Sequence, residues 1–246
     1  MRSVDNRAMG LPLLVARDAE NGALVAVSER GSAPEATPSP TEVLARRLVG
    51  RLGLPDLPLV RATQVHGSEV AVVEEAPPPG GITDAGPCDA LVTRLSGVGL
   101  VVQTADCVPV LLSSRGTIGA IHAGWRGAAS GVASAAAEIF LRLAGDPDGA
   151  RAWLGPAIGP CCYEVGSEVA ERFAGAFVTK AGDRRPRLDL RAVVRSQLEA
   201  AGIRRDNIMQ PCGCTMCGGE RFASFRRDGA RAGRMIALVA RFPTGS

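Results

Sequence analysis

A chain of 246 residues, 46% hydrophobic and 22% charged, is long enough to bury one sizeable core, and nothing in its length requires a second. A net charge of +3 over 28 basic and 25 acidic residues leaves no nucleic-acid footprint, and 4% aromatics argues against stacking platforms for a polynucleotide. No apolar run approaches the ~20 residues of a membrane span, the first residues carry no secretory apolar segment, and an odd count of seven cysteines fits reduced thiols in a cytoplasm.

Residues 11–16 and 23–28 flank Asn21-Gly22, a hairpin signal. A Pro/Ser/Ala/Thr-rich stretch near 31–41 is expected to be a mobile loop. Ser39-Pro40-Thr41-Glu42 matches a capping box with proline at the first helical position. The helix it opens places Val43, Leu44, Leu48 and Val49 on one face and ends near Gly53. Residues 59–65 and 70–74 read as strands on either side of His66-Gly67. Three short β-branched runs follow, at 100–102, 108–112 and 117–121, read as one compact β-unit. Cys107 starts its second strand and His122 ends its third, so the two are expected on neighbouring strands. An alanine-rich helix is predicted over 127–143, with Val132, Ala136, Ile139 and Leu143 inward, then a strand over 152–158. Helices are expected at 167–178 and 189–201 and a strand at 222–226, whereas 235–241 is either strand or helix. The pattern implies a single α/β or α+β domain, a mixed sheet flanked by helices.

The chain has two histidines, His66 and His122, and both sit at strand–glycine junctions, where loops carry chemistry. With Cys107 they make a His₂Cys set, three soft ligands that suit zinc and leave a fourth position open. Cys107 and His122 also suit a nucleophile–base pair, and Cys107 alone reads equally well as a core thiol. Arg126 opens a helix and suits a phosphate or carboxylate clamp, or else a surface ion pair. Arg30 and Arg226 lie in further basic–glycine turns. Asp106, Asp89 and Glu164 are acid–base candidates that could equally cap turns. Cys214-x-x-Cys217 is half a zinc ribbon, a weak signal alone. Adjacent Cys161 and Cys162 would point opposite ways on an extended strand.

The blocks T-Q-V-H-G, D-A-L-V-T, Q-T-A-D-C-V-P-V-L-L, I-H-A-G-W-R-G, G-P-x-I-G-P-C-C-Y-E-V-G, C-T-x-C and S-F-R-R-D-G run in order from about residue 59 to 240. Together they resemble the YfiH/laccase-domain family. The resemblance implies a fold similar to the catalytic domain of the cytotoxic necrotizing factors, and zinc on His66, Cys107 and His122. It implies phosphorolysis of adenosine, inosine or methylthioadenosine to the sugar 1-phosphate and free base, with adenosine deamination as a side activity. The expected catalytic residues are Cys107, His122 and Asp106; the expected substrate contacts are Arg126, Gln64, Asp89, Arg30 and Arg226. The partners are then a purine nucleoside and inorganic phosphate, with no nucleic acid or membrane. The family's T-R-x-G-G loop is reduced here to Ser28-Glu29-Arg30-Gly31. Copper fits less well: a multicopper oxidase needs a histidine-rich cluster that two histidines cannot supply. Two alternatives remain, a Cys–His amide hydrolase acting on a peptidoglycan precursor and a non-catalytic zinc-stabilised module.

Overall fold

Strands that are apolar along their whole length must be covered on both faces, and this chain covers them by stacking two sheets between helices. The computed structural model describes residues 14–31, 39–180, 182 and 184–242. The expected hairpin is β1 (Leu14–Asp18) and β2 (Ala23–Val27), turning at Gly22 with φ 62°. Residues 11–13 of that prediction, and most of the Pro/Ser-rich loop, lie outside the described residues. Helix α1 (Pro40–Arg51) starts with proline as expected, but the capping box does not form. The Ser39 side chain makes no cap bond, and Glu42 pairs with Arg61 at 3.2 Å instead.

Strands β3 (Leu59–Thr63), β4 (Val70–Val73), β5 (Ile82–Pro87) and β6 (Ala90–Thr93) lead to β7 (Val98–Thr104), β8 (Val108–Ser114) and β9 (Thr117–Ala123). The helix predicted over 127–143 is two, α2 (Trp125–Ala129) and α3 (Val132–Leu143). Gly131 separates them in the left-handed region at φ 80°, which glycine adopts without a Cβ penalty. The buried face of α3 is Val132, Ala133, Ala136, Ala137 and Phe140, rotated from the one expected. After β10 (Arg151–Leu154), the helix expected at 167–178 shrinks to α4 (Ser167–Ala170), followed by the small pair β11 (Val178–Thr179) and β12 (Arg187–Leu188). Helix α5 (Leu190–Ala200) is capped by the Asp189 carboxylate on the Ala192 N–H at 3.0 Å. Beyond β13 (Ile208–Met209), the run expected as a strand at 222–226 gives the one-turn helix α6 (Phe225–Asp228), and β14 (Met235–Arg241) resolves as a strand.

The first sheet runs β1-β2-β14-β7-β3-β5 and the second β13-β10-β8-β9-β6-β4. Both are mixed: β3 is parallel to β5 and β7, and β4 is parallel to β6, whereas β14 and β9 pair antiparallel with their neighbours. One fully buried layer fills the space between the sheets, with Val25, Leu100, Val102 and Val239 meeting Leu91, Leu111, Ile118 and Trp153. The alternate residues Val101, Ile236 and Leu238 face Leu44 and Leu48 of α1. On the far side Val92, Val110, Leu112 and Ile121 face Phe140 of α3 and Val193 and Leu198 of α5. The period-2 alternation thus sorts each strand's residues into two apolar layers. The structure corrects one expectation here. β7 belongs to the first sheet and β8 to the second, so the three central strands are not one unit, and the polar residues between β7 and β8 form the crossing from one sheet to the other.

Candidate metal centre

That crossing carries Cys107 immediately before β8, and β9 pairs beside it with His122 opposite Pro109. His66 arrives from the turn after β3. The donor atoms of His66, Cys107 and His122 lie within 4.8 Å of one another. The two imidazoles meet edge to face, with centroids 4.8 Å apart. The backbone conforms to this convergence: His66 (φ 61°) and Asp106 (φ 87°) are the described non-glycine residues at positive φ, a strained conformation that recurs at functional sites. Gly124 is required by close approach, since a Cβ there would stand 3.0 Å from His66 Cδ2 and 3.1 Å from Cys107 Sγ.

Asp89 organises the set. Its side chain is fully buried, and its Oδ1 lies 2.7 Å from His122 Nδ1. Oδ1 also accepts the His66 N–H (3.1 Å), while Oδ2 accepts those of Val65 (3.2 Å) and Gly67 (2.6 Å). One carboxylate therefore fixes the turn that carries one histidine and the ring of the other. A carboxylate only accepts, so Nδ1 of His122 is the protonated nitrogen and Nε2 is left as a ligand or base. Burial opposes ionisation of Asp89, but the His122 bond and the amides outweigh it and hold the carboxyl below its ordinary value.

In the metal-free chain Cys107 and His122 form a thiolate–imidazolium pair. Burial works against each charge, yet their mutual attraction brings Cys107 down to about 6, and Cys107 together with Asp89 raises His122 to about 9. A thiolate and two imidazoles within reach of one small ion are a chemically sound donor set for zinc, with the Asp89 carboxylate supporting the His122 ring from behind.

The centre opens into a cleft of about 480 Å³. Gln64, Asp106, Arg126 and Arg226 line it. Arg126 is exposed, lies 4.4 Å over the Trp125 ring, and has no carboxylate partner among the described residues. The helix it opens is only five residues long, so an anion there would be held by the guanidinium more than by a helix dipole. Gln64 uses both amide atoms on the backbone of Gln103, at 2.8 and 2.9 Å. Asp106 accepts from Thr215 Oγ1 (2.5 Å) and the Arg226 N–H (2.7 Å), which engages both its oxygens and argues for anchoring rather than proton transfer. Arg226 donates to the Glu164 carbonyl at 2.7 Å and lies 5.2 Å over the Tyr163 ring.

Three expectations are corrected. Asp89 is no substrate contact, because it is buried behind the histidines with every acceptor position facing a protein donor. Arg30 is held outside the cleft by Asp228 (3.2 Å) and the Arg231 carbonyl (2.9 Å). Glu164 is turned away onto Arg187 at 3.0 Å. The structure adds Trp125, Tyr163, Phe225, Thr104 and Arg234 to the lining. Tyr163 is the only tyrosine of the chain; burial and the Cys107 charge raise its phenol to about 12, so it stays a protonated donor. Phe225 is 57% exposed, and the buried Thr104 hydroxyl has no hydrogen-bond partner. Tyr163 and Phe225 lie inside blocks the sequence marks out, but Arg234 has no local signal: it reaches the cleft because it pairs with Gly31 at the start of β14.

A family model described as multi-copper polyphenol oxidoreductase laccase matches residues 35–241. A purine nucleoside phosphorylase of Streptomyces coelicolor is 36% identical over 242 residues, covering 91% of this chain and 97% of that protein. One from Xylella fastidiosa is 41% identical over 203 residues, covering 78% and 75%. The adenosine deaminase RL5, from an unknown prokaryotic organism, is 37% identical over 207 residues, covering 79% of each. Among solved structures, the YfiH hypothetical protein of Bacillus licheniformis superposes with a TM-score of 0.81 at 25% identity, covering 96% of this chain and 98% of that one. YlmD of Geobacillus stearothermophilus gives 0.79 at 28%, covering 97% and 98%.

Proposed function

The chain belongs to the multi-copper polyphenol oxidoreductase laccase family, and on that footing we propose that it cleaves purine nucleosides with inorganic phosphate. Adenosine and phosphate give adenine and ribose 1-phosphate: a phosphate oxygen bonds to C1′ as the bond from C1′ to the purine nitrogen breaks, and the base leaves with a proton. The observation that carries this reading is one cleft that joins a His₂Cys donor set, an acid-free arginine and three aromatic rings. Zinc held by His66, Cys107 and His122 would supply Lewis acidity to an oxygen of the substrate. Arg126, with Arg226 and Arg234, binds the phosphate, since guanidinium matches two of its oxygens at once. Tyr163, Phe225 and Trp125 offer faces for a purine and exclude water from it. On this reading the Tyr163 phenol, a protonated group in the cleft wall, donates to the leaving base, whose developing negative charge is what the transition state needs stabilised. A true laccase mechanism is not proposed, because two histidines cannot build the copper sites it needs.

A second reading rests on Asp89–His122 at 2.7 Å beside Cys107, an orienter, base and thiolate in the order of a hydrolytic triad. It competes with metal, since a bound thiolate is not free to attack. The test is product analysis on adenosine with and without phosphate, before and after chelation. Phosphorolysis requires phosphate-dependent adenine and ribose 1-phosphate that vanish on chelation. Inosine and ammonia formed without phosphate would make the protein a deaminase. No turnover of adenosine under any of these conditions, with an acyl adduct on Cys107 formed from an amide substrate after chelation as its amine is released, would establish the hydrolase.

A further inference from the structure

Away from the histidines a second group of soft ligands converges. The thiols of Cys161, Cys162, Cys214 and Cys217 all lie within 4.8 Å of one another, and Cys217 Sγ is 3.3 Å from both Cys161 Sγ and Cys162 Sγ. Adjacent cysteines on a strand would diverge, but residues 159–163 are a tight turn. The N–H groups of Cys162 and Tyr163 both donate to the Gly159 carbonyl at 2.9 Å, and the turn delivers both thiols to one side. Cys214-Thr215-Met216-Cys217-Gly218 closes a second turn, with the Gly218 N–H on the Cys214 carbonyl at 2.9 Å. The two turns are zipped together by the Ala157–Cys214 bridge and the Thr215 N–H on the Ala157 carbonyl at 3.0 Å. The Gly159 N–H points at Cys214 Sγ from 3.2 Å, the support a metal-bound thiolate receives.

We propose that Cys161, Cys162, Cys214 and Cys217 form a closed four-thiolate zinc site, separate from the His66–Cys107–His122 centre. Tetrahedral zinc with Zn–S near 2.3 Å sets its sulfurs roughly 3.8 Å apart, and the thiols of this cluster bracket that spacing, from 3.3 Å between contacting pairs to at most 4.8 Å. Four sulfurs and no open position make the site structural. Each thiol gives up its proton to the solvent as the ion binds, so affinity rises with pH. Its place explains its use. One turn carries Ile158 and Tyr163 of the cleft wall; the other carries Thr215, whose hydroxyl holds Asp106 at 2.5 Å, next to Cys107. The ion pins the two loops that form one wall of the cleft, neither of which belongs to a sheet or a long helix.

The readout is metal, not activity, so it stands or falls apart from the phosphorylase reading. Full-length protein purified under reducing conditions with zinc present is assayed by elemental analysis. His66→Ala/His122→Ala is expected to keep about one zinc per chain, and Cys161→Ser/Cys217→Ser to lose about one relative to the wild type. Cobalt in the histidine variant is expected to give intense sulfur-to-metal charge transfer. Wild-type protein serves if a variant fails to fold. Cys161 and Cys217 are exposed, yet should resist iodoacetamide until a chelator is added. Rapid alkylation of these thiols without chelator, a disulfide to Cys217, or a histidine variant free of zinc would each overturn the proposal.

Discussion

Replacing Asp89 by asparagine tests whether one buried carboxylate assembles the metal centre. In the wild type Oδ1 receives His66 N–H and His122 Nδ1–H, and Oδ2 receives Val65 N–H and Gly67 N–H. An asparagine can keep only one oxygen. If it keeps the His122 bond, its NH₂ group faces the two donors of Val65 and Gly67; if it flips, His66 and His122 lose their acceptor. Either way two charge-assisted bonds disappear, at about 1.5–3 kcal/mol each, or roughly 3–6 kcal/mol before the turn relaxes. Most of that falls on the His66 turn, which is exposed and gives way by opening rather than by unfolding the sheets. Loss of the carboxylate behind a metal-bound histidine lowers metal affinity by ~10–100-fold. The expected result is zinc bound ~10–100-fold more weakly in competition with a chromophoric chelator, with a lowered urea midpoint. A folded Asp89→Asn protein that binds zinc as tightly as the wild type would refute the reasoning, because His122 and His66 would then be oriented without Asp89.

His66→Ala and His122→Ala should each lose zinc from this centre together with activity; full occupancy of the centre in either variant removes that residue from it. Cys107→Ser should weaken zinc binding and recover partial activity in excess zinc, whereas a nucleophile's loss would leave it inactive at any zinc concentration. Arg126→Ala should raise the KM for phosphate or lower kcat/KM by ~10–1000-fold, the loss of a charge-assisted contact of roughly 1.5–4 kcal/mol, and an unchanged phosphate dependence would make the residue structural. In the metal-free chain, Cys107 contributes stability that is complete above its unfolded value of about 8.5 and is lost as pH falls through about 6. His122 contributes stability that is complete below its unfolded value of about 6.5 and is lost as pH rises through about 9. Denaturation midpoints after chelation should therefore be highest between about 6 and 9 and fall on both sides, and a profile no different from that of Cys107→Ser would remove the ion pair.

The apolar runs at 100–102, 108–112 and 117–121 were legible as strands because burial on both faces demands unbroken β-branched sequence over a few residues. The same local grammar put Cys107 at the start of one strand and His122 at the end of the next, and both histidines beside glycines. What a short run does not encode is its partner. Val101 and Leu111 read alike, yet one faces helix α1 and the other the gap between the sheets, so the assignment of β7 and β8 to different sheets came only from packing. Asp89 looked like a turn cap or a substrate contact, because its four donors come from residues 22 to 33 positions away. Cys161 and Cys162 looked divergent until a turn replaced the assumed strand, and Cys217 is brought to them across more than fifty residues. Short-range periodicity determined the strands and the positions of the chemical groups along them; convergence of those groups depends on long-range contacts, whose geometry exists only once the two sheets have stacked.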